Sequence, residues 1–302
     1  MRRILITGGT GQIGTELLRC RWPCDIELIA PTRQELDLSD GDSIERYIDK
    51  GAFCAVINSG AYTAVDRAEG DVLTAWKVNA LAPAAMAWAT KKCDIPIVQI
   101  STDYVFDGVK NTPYIEDDPV APLGVYGASK EAGEQAVRTA NPRHVILRTA
   151  WVFSAHGTNF VRTMLRLGAE RDVVSVVDDQ VGCPTAASDI AAVLATITCR
   201  LIEDTSAPVG TYCFVNAGDA TWYDFAREIF QQRKRAGYSI PTLEAIGTSE
   251  YPTPARRPAN SRLSSDKLKR DFSVEPRHWP VALKQVLESL SSGTLRNNDQ
   301  CS

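Results

Sequence analysis

The sequence has few histidines and lacks the cysteine spacings from which structural metal sites are built. It has three histidines, in unrelated contexts, and eight cysteines, none of which forms a Cys-x-x-Cys pair. The two closest, Cys20 and Cys24, are followed by no histidine or second cysteine pair at metal-site spacing. We therefore expect reduced cysteines in packing or surface positions and no metal site. His144 lies in an apolar run, where a satisfied core or sheet-end histidine is expected.

Long hydrophobic runs and a strong net charge are also missing. No apolar stretch approaches the roughly 20 residues that span a bilayer. The apolar run at Ile4 begins too early for a signal peptide, whose apolar core is about 7–15 residues long. The formal net charge is -4, which favours neither nucleic acid nor an anionic membrane as a partner. The sequence thus predicts a cytoplasmic protein that binds neither of them.

The first 150 residues alternate short apolar runs with longer helical patterns. Ile, Val and Leu dominate the runs, as strands covered on both faces require. The predicted strands span 3–7, 26–30, 55–59, 96–101 and 144–149. The predicted helices span 12–21, 42–50, 71–92 and 127–140. Asp42 and Asp71 are candidate N-caps. This alternation predicts the α/β class, with a Rossmann-like doubly wound parallel sheet over residues 1–150.

The pattern after residue 150 is less regular. Two further strands are expected at 173–179 and 211–216, with amphipathic helices around them. The segment 251–262 carries three prolines, so it cannot be a regular helix or a central strand. We expect 151–291 to form a smaller, mixed α/β C-terminal part that binds the substrate, with some segments returning to the first sheet. A last helix is predicted at 281–291 and a disordered tail over 292–302.

A glycine-rich turn follows the first predicted strand and opens a helix. Gly8, Gly11 and Gly14 have the spacing G-x-x-G-x-x-G. The first permits a tight turn, the second lets the backbone approach a pyrophosphate, and the third allows close contact between helix and strand. The diphosphate would then accept from the free N–H groups at the helix N-terminus. The turn predicts that residues 1–150 bind NAD(P), with Gln12 and Ile13 among the contacts.

The end of the second predicted strand selects the dinucleotide. An NAD site usually has an acidic residue there for the ribose 2′-hydroxyl, whereas this chain has Thr32 and Arg33. Arg33 can pair with a 2′-phosphate, which predicts NADPH as the preferred cofactor and NADH as the alternative. The competing interpretation is that Arg33 is a solvated surface charge. Asp37 and Leu38 are placed to flank the adenine.

Tyr126 and Lys130 stand four residues apart in VYGASK, at the start of a predicted helix. Residues i and i+4 share a helix face. The ammonium and the helix N-terminus are therefore expected to lower the pKa of the tyrosine from about 10. Such a tyrosine can protonate a developing alkoxide as a general acid. Thr102, at a strand end, can hydrogen-bond the carbonyl that is reduced. The alternative is an exposed Tyr–Lys pair without chemistry.

Thr102, Tyr126 and Lys130 reproduce the Ser/Thr…Tyr-x-x-x-Lys arrangement of the short-chain dehydrogenase/reductase superfamily, which the chain resembles. Within it, the blocks GGTGQIG, VINSGAYTAVDRAE, STDYVFDG, PLGVYGASK, LRTAWVF, DDQVGCPT, TWYDFA and YPTPARRPANSRL resemble the dTDP-4-dehydrorhamnose reductase family. The resemblance runs from residue 8 to residue 263. It implies NAD(P)H-dependent reduction of the 4-keto group of dTDP-4-dehydro-L-rhamnose to dTDP-L-rhamnose, the last step in making that sugar donor.

The resemblance also implies roles for individual residues. Tyr126 would be the general acid, Lys130 would hold the nicotinamide ribose and Thr102 would orient the carbonyl. The implied cofactor contacts are Gly8, Gly11, Gln12, Ile13, Gly14, Arg33, Asp37, Leu38, Ala61, Tyr62, Tyr126 and Lys130. The implied substrate contacts are Thr63, Val65, Thr102, Asp103, Trp151 and Arg262.

Some of these residues have a physical rationale and a competing one. Trp151 offers a flat apolar face to a deoxysugar or a base. Arg256, Arg257 and Arg262 can contact a diphosphate, or each can be a surface charge or part of a structural ion pair. Three further residues are expected to be structural: Trp222 and Trp279 as core anchors and Asn79 as a helix polar group near the site. The alternative for Asn79 is a catalytic role.

Other functions remain open at this point. A dehydratase of the superfamily typically has an Asp-Glu pair after the threonine, whereas here Tyr104 stands at the Glu position. This disfavours loss of water and leaves a reductase or epimerase of another nucleotide sugar. A non-catalytic, reductase-like regulatory subunit is a further alternative, which the intact Thr102, Tyr126 and Lys130 disfavour. The resemblance alone suggests Mg²⁺, although no carboxylate cluster supports it, and it allows a homodimer.

Overall fold

The computed structural model describes the backbone of residues 1–298 and the side chains of residues 1–292. The strands of this part are Arg2–Thr7 (β1), Ile26–Ile29 (β2), Phe53–Asn58 (β3), Ile97–Thr102 (β4), His144–Thr149 (β5), Val152–Phe153 (β6), Val173–Val177 (β7), Val181–Gly182 (β8), Thr185–Ala186 (β9), Gly210–Cys213 (β10), Ala220–Thr221 (β11) and Thr242–Ile246 (β12). Six of them pair in parallel in the order β10-β5-β4-β3-β1-β2. This central sheet confirms the predicted α/β class and its parallel sheet.

Helices cover both faces of the central sheet. The helices of the described part of the chain are Gln12–Arg19 (α1), Gly41–Lys50 (α2), Val65–Ala68 (α3), Val72–Trp76 (α4), Ala82–Lys92 (α5), Val125–Ala140 (α6), Phe160–Glu170 (α7), Ala187–Glu203 (α8), Trp222–Arg235 (α9), Asp266–Phe272 (α10) and Trp279–Asn298 (α11). Of these, α1, α8 and α10 pack on one face of the central sheet and α2, α5 and α6 on the other. No helix in the described part of the chain is long and apolar enough to cross a membrane.

Two apolar cores lie on the opposite faces of this sheet. On one face, Leu17 of α1 and Ile190 of α8 pack against Ile4 and Ile57. On the other, Ile48 of α2, Met86 of α5 and Val137 of α6 pack against residues that include Leu5. Because side chains alternate between the two faces of a strand, both sets must be apolar. This explains the continuous apolar runs of the sequence.

The second half of the chain has a core of its own and also contributes to the central sheet. Phe153, Val161, Phe225 and Trp279 belong to one buried cluster. The strand β10 pairs in parallel with β5 at the edge of the central sheet. The boundary at residue 150 and the substrate-binding role of the later part stay predictions.

The structure corrects three local expectations. Asp40, rather than Asp42, caps α2, since its Oδ1 accepts from the N–H of Ser43 at 3.1 Å. The predicted helix 71–92 is interrupted by a π-helical turn at Lys77–Leu81. The last helix continues through 292–298 instead of ending at 291, where the sequence predicted a disordered tail over 292–302. Residues 299–302 lie outside the described part of the chain.

Candidate active site

A cavity of about 970 Å³ opens at the carboxyl ends of β1, β3, β4 and β5. Ligands of open α/β sheets bind at this edge. The predicted site residues that line it are Gly8, Gly11, Gln12, Ile13, Arg33, Asp37, Leu38, Ala61, Tyr62, Thr63, Val65, Thr102, Asp103, Tyr126, Lys130 and Trp151. Gly14 and Arg262 are the predicted residues outside its lining. The fold therefore brings the predicted cofactor and reaction groups into one space.

The glycine-rich turn between β1 and α1 leaves no room for a side chain at Gly8 or Gly14. Gly8 has a φ of +70°, and a Cβ there would lie 2.6 Å from Gly60 N. A Cβ on Gly14 would lie 2.1 Å from the carbonyl oxygen of Gly8, so Gly14 lets the helix pack against the turn. Gly11 is the N-cap of α1, and the first amides of a helix have no intrahelical acceptor. The turn thus suits an anionic diphosphate.

A chain of buried hydrogen bonds lies beneath this turn. Thr7 Oγ1 donates to Asn58 Oδ1 at 2.5 Å, and Asn58 Nδ2 donates to Gln99 Oε1 at 2.7 Å. The Gly60 N–H donates to Thr7 Oγ1 and Asn58 Oδ1. The loop after β3 is therefore held against the glycine-rich turn. Sequence reasoning missed these residues, although polar side chains inside apolar strands are a signal that could have revealed them.

The end of β2 contributes a cation and a carboxylate to the cavity wall. The exposed Arg33 lies near Asp37. Hydrogen bonds from Ser39 hold the pKa of Asp37 below its ordinary value, and Arg33 and Lys77 lower it further. The Thr32 N–H donates to Glu35 Oε2 at 2.7 Å, so Glu35 stabilises the local turn. Arg33 and Asp37 line the cavity, whereas Glu35 does not.

Thr102 and Tyr126 meet at the cavity floor. Thr102 ends β4, and its Oγ1 donates to Asp103 Oδ1 at 3.0 Å and accepts from the N–H of Tyr104. Tyr126 lies in the first turn of α6. The structure corrects the expected direction of its pKa: burial raises it well above 10, although the Thr102 hydroxyl lowers it. Tyr126 is therefore a neutral phenol at pH 7, the form that can donate a proton.

Lys130 lies one helical turn beyond Tyr126 and is buried. Its Nζ donates to the carbonyl oxygen of Ile100 at 2.5 Å, which fixes the ammonium beside the end of β4. Burial lowers the pKa of Lys130 to about 8, and the Glu134 carboxylate opposes that shift. The expected lowering of the tyrosine pKa by Lys130 is therefore wrong: burial of the phenol sets the direction, and the Thr102 hydroxyl opposes it.

A buried ion pair supports this part of α6. Glu134 accepts from Arg148 Nε at 3.0 Å and from Arg148 Nη2 at 2.7 Å. Burial would raise the pKa of Glu134, but the Arg148 hydrogen bonds hold it below its ordinary value. Glu134 lies on α6, one turn beyond Lys130, and Arg148 lies on β5. The ion pair therefore anchors this part of α6 to the sheet. Neither residue was predicted, because their pairing joins positions far apart in sequence.

All the predicted substrate contacts except Arg262 line the cavity. Trp151 has a φ of +47°, a strained conformation for a bulky residue. Its ring stacks on Trp222 at 3.5 Å, with the planes 9° apart. Trp222 therefore supports the cavity wall, and it also packs at the periphery of the core of the second half of the chain.

Asp103 is buried in the cavity wall. Burial raises its pKa to about 6, and hydrogen bonds from the Ser261 and Thr102 hydroxyls oppose that shift.

The three arginines of 251–262 have separate positions. Arg262 donates to Asn260 Oδ1 at 2.9 Å and to the carbonyl oxygen of Asn111 at 2.7 Å, outside the cavity. Arg257 donates to Tyr104 Oη at 3.1 Å and to Asp66 Oδ2 at 2.6 Å. Arg256 is exposed. The structure therefore gives Arg262 a structural environment and brings Arg257 closest to the reaction groups.

Asn79 connects the cofactor side of the cavity to α6. Its Oδ1 accepts from the N–H of Tyr62 at 2.8 Å, and its Nδ2 donates to the carbonyl oxygen of Tyr62 and to Ser129 Oγ. The residue is buried in the π-helical turn. Asn79 thus has the structural role that the sequence suggested, holding the loop of Tyr62 in place.

Metal ligands do not cluster in the described part of the chain. No group of three or more His, Cys, Asp or Glu side chains there is arranged to hold a metal ion. The Mg²⁺ suggested by resemblance therefore has no support from these residues.

Comparisons with known proteins agree with this geometry. The family model described as RmlD substrate binding domain matches residues 1–292. The dTDP-4-dehydrorhamnose reductase of Sinorhizobium fredii is 41% identical over 289 residues, which cover 95% of this chain and 97% of that protein. The dTDP-4-dehydrorhamnose reductase of Escherichia coli strain K12 is 38% identical over 297 residues, which cover 96% and 99%.

Solved structures give the same result. A dTDP-4-dehydrorhamnose reductase from Clostridium acetobutylicum superposes with a TM-score of 0.89 at 37% identity, covering 96% of this chain and 99% of that one. The dTDP-4-dehydrorhamnose reductase of Bacillus anthracis, in complex with NADP, superposes with a TM-score of 0.88 at 32% identity, covering 96% and 100%.

Proposed function

Because the chain belongs to the RmlD family of dTDP-4-dehydrorhamnose reductases, we propose that it reduces the 4-keto group of dTDP-4-dehydro-L-rhamnose to give dTDP-L-rhamnose. The observation that carries this proposal is the convergence of Thr102, Tyr126 and Lys130 in one cavity with the glycine-rich turn. A reductase needs a cofactor site and a proton donor facing the same carbonyl, and this cavity provides both.

The cofactor is a reduced nicotinamide dinucleotide, which supplies the hydride when bound. The fit rests on the glycine-rich turn, where any side chain at Gly8 or Gly14 would collide with backbone atoms. NADPH is the preferred form in this proposal. Arg33 is a cation in the cavity wall at the end of β2, where a 2′-phosphate would lie.

Tyr126 is the proton donor to the carbonyl oxygen. Its raised pKa keeps it protonated at neutral pH, so the proton is available as negative charge develops on that oxygen. Thr102 orients the carbonyl through its hydroxyl. Lys130, held by the Ile100 carbonyl, keeps two further ammonium donors for the nicotinamide ribose hydroxyls.

The sugar nucleotide occupies the rest of the cavity. Thr63, Val65, Asp103 and Trp151 line it. The ring of Trp151 stacks on Trp222 and packs against Gly182, so it lines the cavity with the part that these two contacts leave exposed. Arg262 is not among the proposed contacts, because its guanidinium is already bonded to Asn260 and Asn111 outside the cavity.

The experiment that tests this function follows NADPH absorbance with dTDP-4-dehydro-L-rhamnose as substrate and identifies the product by chromatography. The proposal predicts oxidation of NADPH and one equivalent of dTDP-L-rhamnose. Parallel assays with other 4-keto nucleotide sugars test the alternative of a reductase for another sugar. Absence of turnover with every sugar would favour the regulatory subunit. A cytoplasmic location and a homodimer stay part of the proposal.

A further inference from the structure

Tyr104 contacts the catalytic end of α6 through both its side chain and its backbone. Its ring packs edge-on against that of Tyr126, with centroids 5.5 Å apart and planes at 74°. A Cβ on Gly127, the residue after Tyr126, would lie 2.1 Å from the carbonyl oxygen of Tyr104. The start of α6 therefore rests directly on Tyr104, and an edge-to-face contact fixes the orientation of the partner ring.

Tyr126 depends on such contacts from outside its own helix. It is the second residue of α6, so no preceding helical turn confines its side chain. The turn that presents Thr102 also presents Tyr104, because Thr102 Oγ1 accepts from the Tyr104 N–H at 3.2 Å. The short segment 102–104 thus fixes the positions of two groups: the Thr102 hydroxyl, which orients the carbonyl, and the Tyr104 ring, which faces Tyr126.

Arg257 and Asp66 in turn hold Tyr104. Arg257 donates to Tyr104 Oη at 3.1 Å and to Asp66 Oδ2 at 2.6 Å. The other Asp66 oxygen accepts from the N–H of Ala255 at 3.2 Å. Burial raises the pKa of Tyr104 to about 12, so its hydroxyl stays neutral. This arrangement joins the proline-rich segment 251–262 to the turn that follows β4.

We propose that Tyr104 is a positioning residue for the proton donor Tyr126, and that Arg257 and Asp66 keep Tyr104 in place. The inference rests on the proposed function, in which Tyr126 protonates the carbonyl oxygen. Tyr104 itself transfers no proton. It keeps the Tyr126 hydroxyl aligned with the carbonyl. The Arg257–Asp66 ion pair connects Tyr104 to α3, because Asp66 lies on that helix. The first residue of α3 is Val65, a predicted substrate contact.

A double-mutant cycle separates positioning from general destabilisation. Tyr104→Leu removes the ring and is measured in the wild-type and Tyr126→Phe backgrounds by single-turnover oxidation of NADPH. In the wild-type background we expect the single-turnover rate constant to fall about tenfold, because misalignment of a reacting group lowers the rate steeply. In the Tyr126→Phe background, where no phenolic proton remains, we expect a loss of less than about twofold.

A conservative variant and a control variant complete the double-mutant cycle. Tyr104→Phe keeps the edge-to-face ring but loses the Arg257 bond, so we expect partial rescue, with a loss of about threefold. Tyr238→Leu replaces an exposed tyrosine and should leave the rate unchanged. Circular dichroism and NADPH binding establish that each variant is folded.

The outcomes distinguish the inference from the function on which it rests. Equal losses from Tyr104→Leu in both backgrounds, or no loss in either, would overturn the positioning role while the reductase activity stands. Absence of turnover by the wild-type protein would overturn the proposed function and this inference with it.

Discussion

Lys130 Nζ donates a hydrogen bond to the main-chain carbonyl oxygen of Ile100, at 2.5 Å. The bond places a buried ammonium at the end of β4, one helical turn from Tyr126. Burial lowers the pKa of that ammonium to about 8, although Glu134 opposes the shift. The charge on Lys130 is therefore sensitive to pH in an accessible range, whereas the phenol of Tyr126 is not.

This difference predicts the alkaline limb of the pH–rate profile. As the pH rises through about 8, Lys130 loses its proton while Tyr126, with a pKa well above 10, keeps its own. We expect kcat to fall above pH about 8. Lys130→Arg, although slower overall, should show no such limb, because a guanidinium stays charged. The same alkaline fall in the arginine variant would contradict the assignment to Lys130.

Asp103 predicts a pH-dependent effect on stability. Burial raises its pKa from 3.8 to about 6. Between these values the unfolded chain has released the proton that the folded protein still holds, so this group makes the protein less stable as the pH rises. Asp103→Asn removes that titration. In urea unfolding we expect the free energy of unfolding of the variant to exceed that of the wild type by about 3 kcal/mol at pH 7.5, and by little at pH 4.

The control for this prediction is Asp49→Asn, which changes an exposed carboxylate paired with Lys92. It should show no comparable gain at pH 7.5. A stability difference for Asp103→Asn that is the same at both pH values would mean that titration of this carboxyl is not its cause.

Gly14→Ala tests the cofactor turn. The added Cβ would lie 2.1 Å from the Gly8 carbonyl oxygen, so the turn must shift. Overpacking of this kind costs about 1–3 kcal/mol, and we expect NADPH binding to weaken about tenfold or more. Gly41→Ala is the matched control, because its Cβ would meet only the Ala85 side chain, at 3.7 Å. Fluorescence titration measures both. Unchanged affinity in Gly14→Ala would rule out the close packing.

Arg33→Ala tests the cofactor preference. If Arg33 pairs with the 2′-phosphate, its loss should weaken NADPH binding about tenfold, as expected for a charged hydrogen bond of about 1.5–3 kcal/mol. NADH binding should change little. Arg166→Ala removes an exposed cation paired with Glu170 on α7 and should affect neither cofactor. Equal weakening of both dinucleotides by Arg33→Ala would exclude a role in the preference.

Much of the fold was predictable because its signals are local. Continuous apolar runs identify the strands of a sheet covered on both faces, and the glycine spacing identifies a turn that excludes side chains at Gly8 and Gly14. The cap of α2 is a counterexample, since the sequence predicted Asp42 and the structure uses Asp40. Asp40 and Asp42 have the same chemistry, and only the geometry of the turn selects Asp40.

The parts of the site that the sequence did not predict depend on tertiary packing. Burial, which no local pattern reports, reverses the expected shift of the Tyr126 pKa. The Arg262 side chain bonds to the carbonyl of Asn111, a partner distant in sequence, so it does not reach the cavity. Arg257 and Tyr104 meet in the same way. Such pairings require the folded chain.

The most direct measurement of the central claim is single-turnover NADPH oxidation by Tyr126→Phe with dTDP-4-dehydro-L-rhamnose. The substitution removes one hydroxyl and keeps the ring against Tyr104. Because general acid catalysis contributes about 100-fold or more, the account predicts a loss of at least that size while NADPH still binds. A Tyr126→Phe protein that reduces the sugar at the wild-type rate would contradict it.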